Sequence, residues 1–199
     1  MQDVLNQATS QLRQQTNHFV ILTDEEWAAI VPHLSLITLK KHQCFAQQGV
    51  VANQIGLVLD GTLRQFYTKE GEERTTYFFF ENQFTGAYMS CVTGQPSPVT
   101  IEALSETTCV RFPYAVLHDL FGQYRGWQQF GRLLAEYIMV ALEERMAGLL
   151  LLSPEERYLA LLEGQQKIIL QRIPQHYIAN YLGITPVSMS RIRNRILRK

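Results

Sequence analysis

Between residues 34 and 112 the chain reads as short β-rich runs, and after Pro113 it reads as helix alone. No other feature limits the possible folds as much as this switch. The runs are 36–39, 55–59, 63–68, 75–80, 99–104 and 108–112. Turn signals separate them. Asp60-Gly61, between "IGLVL" and "TLRQFY", predicts a tight hairpin, and "KEGEE" at 69–73 predicts a second turn. Several short strands at regular spacing predict a barrel or rolled sandwich.

Helices flank this region. Val4, Leu5, Ala8 and Leu12 form a weak helical stripe over residues 2–17. Thr23 with Glu26 is a capping-box pattern that starts a short helix at Asp24, and Pro32 ends it. Pro113 opens a short helix through Leu120. A long helix follows over 124–152. At ~1.5 Å per residue it spans roughly 40 Å, longer than a small core needs. Phe130, Leu134, Tyr137, Ala141 and Gly148 recur close to heptad spacing, and Leu133, Val140 and residues 146–150 widen the stripe. Two apolar faces on one helix need two surfaces, so one face covers the barrel and the other meets a second copy, giving a homodimer through 124–152. Ser153-Pro154-Glu155-Glu156 is a further start signal, for a helix reaching Glu163. The expected organisation is therefore 1–122 strand-rich, 123–152 long helix and 153–199 all helical.

The formal net charge is +0, yet it is unevenly placed. From Gly164 onward the charged residues are Lys167, Arg172, Arg191, Arg193, Arg195, Arg198 and Lys199, which is +7. The rest holds 18 − 7 = 11 basic and 18 acidic residues, which is −7. Such asymmetry points to an anionic partner for the end of the chain.

That end has a grammar. Gln175–Tyr181 reads as one helix with Ile178, Ala179 and Leu182 on its buried face. Gly183 stops it in a left-handed conformation, and Ile184 plugs the angle. Thr185 caps the next helix, with Pro186 at its first position. Met189, Ile192 and Ile196 form an inward stripe, leaving Ser188, Ser190, Arg191, Asn194, Arg195 and Arg198 outward. Helix, glycine turn, helix is the helix-turn-helix, whose second helix enters the major groove of double-stranded DNA. Thr185 and Ser188 approach phosphates at the helix N-terminus. Arg191 is placed for a bidentate contact to guanine. Asn194 reads adenine or touches backbone. Arg193, Arg195, Arg198 and Lys199 bind phosphate. A basic amphipathic helix lying on a membrane is disfavoured, because the apolar stripe is narrow.

The order of strand-rich region, long helix and terminal helix-turn-helix resembles the Crp/Fnr superfamily of bacterial transcription regulators over nearly the whole chain. "GLVLDGTLRQFY" is similar to the β-roll hairpin of its cyclic-nucleotide-binding-like domain. "SPEERYLALLEG" and "IPQHYIANYLGITPVSMSRIRNRI" resemble the group common in Bacteroidetes. The resemblance implies an α+β fold: an N-terminal antiparallel β-roll of jelly-roll type with flanking helices, a long dimerisation helix and a C-terminal all-α helix-turn-helix domain. It also implies a homodimer on two-fold related half-sites, an effector sensed by the roll and relayed by the long helix, and RNA polymerase as a further partner. The group often carries an acidic residue at the position of Val187; Val187 can instead touch a thymine methyl, and Pro186 brings no side-chain donor, so the family's DNA site does not carry over.

The segment matching the nucleotide pocket is "FTGAYMSCVTGQPSPVTIEAL". Gly86 is kept. Ala87 stands at the expected Glu, and Ser97 and Pro98 stand where Arg is expected. Ser97, Thr100 and backbone N–H groups are left to meet an anion, or Tyr88, Phe84 and Phe79 fill the space. The expectation is a roll that has lost cyclic AMP and cyclic GMP, with no cofactor and an unknown effector. Cys44, Cys91 and Cys109 are too few and too dispersed for an iron–sulfur cluster, and His18, His33, His42 and His118 read as surface or structural rather than haem ligands. No enzyme motif is present. The polar N-terminus and the lack of a long apolar run predict a cytoplasmic protein that does not insert in membranes. The competing class is a small-molecule-binding or interaction module without DNA binding.

Overall fold

In the computed structural model, residues 2–164 and 167–197 are described. The strands are β1 (Ser35–Leu39), β2 (Cys44–Ala46), β3 (Gln54–Asp60), β4 (Leu63–Lys69), β5 (Glu72–Phe79), β6 (Phe84–Thr85), β7 (Thr100–Ala103) and β8 (Thr107–Pro113). They form two four-stranded antiparallel sheets, ordered β1-β8-β3-β6 and β2-β7-β4-β5. Leu39, Val58 and Cys109 of the first sheet meet Leu63, Phe79, Ile101 and Ala103 of the second in a buried interior. Period-2 alternation sends the next residues outward: Leu57 and Val110 onto one helical layer, and Phe78 onto another.

The turn residues act differently from the sequence expectation. Strands β3 and β4 lie in different sheets, so Asp60-Gly61 is a corner between sheets and not a hairpin. Gly61 is required there: its φ is +97°, and a Cβ would sit 2.5 Å from the Glu106 carbonyl oxygen. The tight hairpin is the "KEGEE" turn. Lys69 pairs with Glu72, and Glu70 and Gly71 have φ of 54° and 81°. Two positive φ values are what a two-residue type I′ turn demands.

The helices are α1 (Gln2–Asn17), α2 (Asp24–Ile30), α3 (Tyr88–Thr93), α4 (Tyr114–Gln123), α5 (Arg125–Leu151), α6 (Pro154–Glu163), α7 (Lys167–Arg172), α8 (Gln175–Tyr181) and α9 (Pro186–Leu197). Both capping boxes form, Thr23 with Glu26 and Ser153 with Glu156. The Glu26 carboxylate also accepts from the Gly126 N–H at the start of α5, at 2.7 Å. One carboxylate thus serves the N-termini of two helices, where negative charge is favoured. These hydrogen bonds, led by the Thr23 backbone, hold its pKa below the usual carboxylate range. Beside it Trp27 stacks on Trp127 at 6.4 Å, and the Trp127 indole donates to the Glu26 carbonyl.

Helix α5 buries Trp127 and Phe130 against the outer face of the first sheet, with Leu134 partly covered there. Tyr137 lies edge-on to Phe19 at 6.0 Å. The stripe is therefore covered within the chain at Phe130 and in part at Leu134, while Tyr137 stays 58% exposed. Met139, Leu142, Met146 and Leu149 lie exposed. No helix among the described residues is long and apolar enough to cross a membrane.

Candidate nucleic-acid interface

Helix α8 ends as the sequence reads. Gly183 has φ +71°, its N–H donates to Asn180 O at 3.0 Å, and Ile184 N–H donates to Ala179 O at 3.0 Å. This 5→2 and 6→1 pair is a Schellman motif, and the Gly183 conformation is what turns the chain toward α9. Thr185 caps α9 by accepting from the Ser188 N–H at 3.2 Å, and its hydroxyl lies 3.0 Å from that of Ser188. Ile178, Ala179, Leu182, Met189 and Ile192 are buried in one cluster, with Ile184 and Ile196 packed on its rim.

What remains outside is the expected reading face. Thr185, Pro186, Val187, Ser190, Arg191, Asn194 and Arg195 are exposed, and Ser188 and Arg193 are half-buried. Val187 is the apolar tip of this face, 60% exposed. Arg198 and Lys199 lie outside the described residues. Arg195 has a partner that the sequence does not announce. It forms an ion pair with Glu155 of α6 at 2.6 Å while its side chain stays 60% exposed.

The α8–α9 unit rests on the outer face of the second sheet, through contacts the sequence does not announce. Asn180 accepts from the Thr75 N–H at 2.6 Å and donates to the Glu73 carbonyl at 2.7 Å. The buried guanidinium of Arg64 lies 4.1 Å from the centroid of the Tyr177 ring and donates to Glu73 at 2.7 Å and to Thr75 at 2.8 Å. Arg172 donates to both Glu81 oxygens, at 2.6 and 2.8 Å, and to Gly61 O at 3.1 Å. These bonds from Arg172 hold the Glu81 carboxyl below the usual range. Two more arginines grip the C-terminal end of α8. Arg145 of α5 donates to Tyr181 O and stacks on the Tyr181 ring at 3.7 Å. Arg157 of α6 donates to Leu182 O at 3.0 Å and to Leu152 O at 2.5 Å. Cations at unsatisfied helix-end carbonyls are favoured by the helix dipole. The positive charge from Gly164 onward was the available signal for Arg172; Arg157, in the net acidic α6, and Arg64 and Asn180 carried none.

The residues expected at the effector pocket of the roll have partners within the chain. Ala87 is buried in the apolar interior with Val99 and Ile101. The Ser97 hydroxyl donates to Val99 O at 2.7 Å and accepts from its N–H. The Thr100 hydroxyl accepts from the Gln48 N–H at 3.1 Å. Both hydroxyls thus hold their own loops. Pro98 is half-buried, and Gly86 passes so close to β3 that a Cβ would meet Ile55 at 2.8 Å. Of the three aromatics expected to fill the roll, only Phe79 does so. Phe84 faces the helices, 5.4 Å from Phe130, and Tyr88 is exposed, edge-on to Tyr114 at 5.9 Å. The residue missed is Tyr77, which packs half-buried against the interior beside Phe79 at 4.9 Å. Burial pushes its phenol up to about 12, with Tyr137 of α5 and Tyr181 of α8 adding to the rise. Among the described residues no group of three His, Cys, Asp or Glu side chains could hold a metal ion.

Residues 36–124 match the family model for the cyclic nucleotide-binding domain. No curated protein sequence matches the chain at a significant level. Among solved structures, FixK2 from Bradyrhizobium japonicum superimposes with a TM-score of 0.69 at 16% identity, covering 83% of this chain and 85% of its own. A protein assigned to the Crp/Fnr family of transcriptional regulators, from Eubacterium rectale, gives 0.69 at 20% identity, covering 88% and 84%. The c-di-GMP responsive global regulator CLP of Xanthomonas campestris gives 0.67 at 14% identity, covering 88% and 92%. The fold, roll and helical end together, is shared with these regulators.

Proposed function

We propose that this chain is a sequence-specific DNA-binding transcription regulator of the Crp/Fnr kind that works as a homodimer. The observation that carries the reading is the α8–Gly183–α9 unit: a closed Schellman turn, a Thr185 cap, and an outward face of Thr185, Pro186, Val187, Ser188, Ser190, Arg191, Asn194 and Arg195. Such a helix presents its N-terminal end to base edges and its basic side chains to phosphate. The exposed seam Met139, Leu142, Met146 and Leu149 supports pairing of two α5 helices, which would set two α9 helices on two-fold related half-sites about 34 Å apart. Residues 1–122 then form the sensing unit, 123–152 the dimer helix and 153–199 the reader.

Selection from a random duplex pool tests the reading. Enrichment of paired half-sites, with affinity falling steeply with salt, is the expected result. The four cations expected at phosphate, Arg193, Arg195, Arg198 and Lys199, give eight per dimer and a log–log slope of about −7. No enrichment and no salt dependence would leave only an interaction module. Arg191→Ala should weaken the selected duplex by about 1–3 kcal/mol while sparing a scrambled one. Equal losses on both would remove Arg191 from base reading.

In the same reading the roll does not take cyclic AMP or cyclic GMP. Buried Ala87 and the committed Ser97 and Thr100 hydroxyls leave no ribose or phosphate clamp. A thermal melt with either nucleotide should not move. A ligand at a hundred times its dissociation constant would add about 2.7 kcal/mol and move it clearly.

A further inference from the structure

Strand β5 is the free edge of the second sheet, with β4 on one side only. An unpaired edge presents N–H and C=O groups at alternate residues, ready for another strand. Here the Thr75 N–H and the Glu73 C=O are both taken by the carboxamide of Asn180, at 2.6 and 2.7 Å. An amide side chain carries one acceptor and a donor in the geometry of a peptide group, so Asn180 occupies the place of a neighbouring strand for one residue pair. The ladder between β4 and β5 shifts register at this place: Gln65 pairs with Tyr77 and Phe66 with Thr75, leaving Thr76 as the extra residue of a bulge. Bulges bend a strand and re-aim its side chains.

The two faces of β5 then meet different parts of the molecule. Tyr77 and Phe79 line the roll interior. Phe78, with Phe80 just beyond the strand, lies in the cluster built from α6 to α9. One strand is therefore the shared wall between the roll chamber and the reader. Asn180 holds the backbone of that wall, and it stands just before Tyr181 and Leu182, whose carbonyls Arg145 and Arg157 hold. These three consecutive positions belong to the end of α8, from which Gly183 sets the direction of α9.

We infer that Asn180 is a positioning residue for DNA reading: it ties the edge of β5 to the helix-turn-helix, so that the packing of Tyr77 and Phe79 inside the roll sets the attitude of α9. This rests on the proposed DNA-binding role. It places the route from roll to reader across the sheet edge, beside any route along α5.

The test uses the full chain and the duplex selected above. In wild type the Thr75 amide exchanges slowly with solvent deuterium. In Asn180→Ala it should exchange at least about tenfold faster, with the Val58 amide, bonded within the roll, unchanged. Duplex affinity should fall by about tenfold, since an untied reader must be ordered on binding, while the dimer fraction stays the same. Tyr77→Leu then separates coupling from mere support. Its effect on duplex affinity should be present in the wild-type background and absent with Asn180→Ala. A Thr75 amide as slow as wild type, or an equal Tyr77→Leu effect in both backgrounds, overturns the inference. Should the wild type bind no duplex, the DNA-binding reading fails separately. Exchange at Met189 and Ile192 in α9 then replaces affinity in the same comparison and still decides whether the joint exists.

Discussion

Leu142→Asp should break the dimer and leave the protomer folded. Met139, Leu142, Met146 and Leu149 follow one another at intervals of 3, 4 and 3, the a/d rhythm of a left-handed coiled coil. Their exposures are 59, 56, 57 and 44%, so roughly half of each side chain is still to be buried. Full burial of a Leu or Met contributes about 1.5–3 kcal/mol, so each has about 1 kcal/mol to gain. Four side chains on each of two helices give about 8 kcal/mol gross, set against an association cost of the same order. Leu142→Asp enters twice in a two-fold dimer. It removes about 2 kcal/mol of burial, and two facing carboxylates add about 1–2 kcal/mol of repulsion. A loss of about 3 kcal/mol weakens the dimer by more than a hundredfold. Sedimentation equilibrium reads this directly, and a melt of the protomer should be nearly unchanged because Leu142 makes little of the intramolecular core. Equal association constants for variant and wild type would refute the assignment of this face as the seam.

Three further outcomes follow from local geometry. Gly183→Ala should cost about 1–2 kcal/mol in urea unfolding, from the left-handed φ alone, because the nearest neighbour of the new Cβ is Leu149 at an ordinary 3.8 Å; no change would mean that the turn is not left-handed. Ala87→Glu should cost about 3 kcal/mol or more, since a carboxylate would enter the apolar interior with no guanidinium to meet it; a loss below about 1 kcal/mol would mean that water reaches this part of the roll. Glu81 has a folded pKa below the 4.5 of the free group, held down chiefly by Arg172. Its stabilisation is therefore complete above the unfolded value and is lost as pH falls through the lower folded one. The urea midpoint should drop over that acid range, and Glu81→Gln should flatten this part of the profile. An unchanged profile would deny the pair any role.

The parts legible in the sequence were those fixed within a few residues. Thr23 with Glu26, Ser153 with Glu156, and Gly183 with Thr185 each act over three or four positions, and each stands where it was read. Strands β2 and β6, of three and two residues, and the six-residue α7 were too short to leave a period. Asp60-Gly61 misled because the same dipeptide suits a hairpin and a corner. What decides is whether the two strands pair, and pairing depends on β8 and β7, far along the chain. The stripe Phe130–Leu134–Tyr137 was legible as apolar, but which surface it covers depends on Phe19, more than a hundred residues away. The joint at Asn180 was invisible for the same reason: it contacts the backbone of residues 73 and 75, across 107 and 105 positions, and a backbone contact leaves no mark in the partner's side chains.

The pairing of Trp27 with Trp127 gives the molecule an optical property. These are its only two tryptophans, and they stack at the foot of α5, one of them bonded to the Glu26 carbonyl. Tryptophan emission from this chain, excited selectively over its nine tyrosines, therefore comes from one place, at the opposite end of α5 from the reader. A DNA titration followed by that emission is a test of torsion along the helix. Steady emission through saturation means that the foot of α5 stays still while α9 docks, and a spectral shift means that the whole helix turns with it.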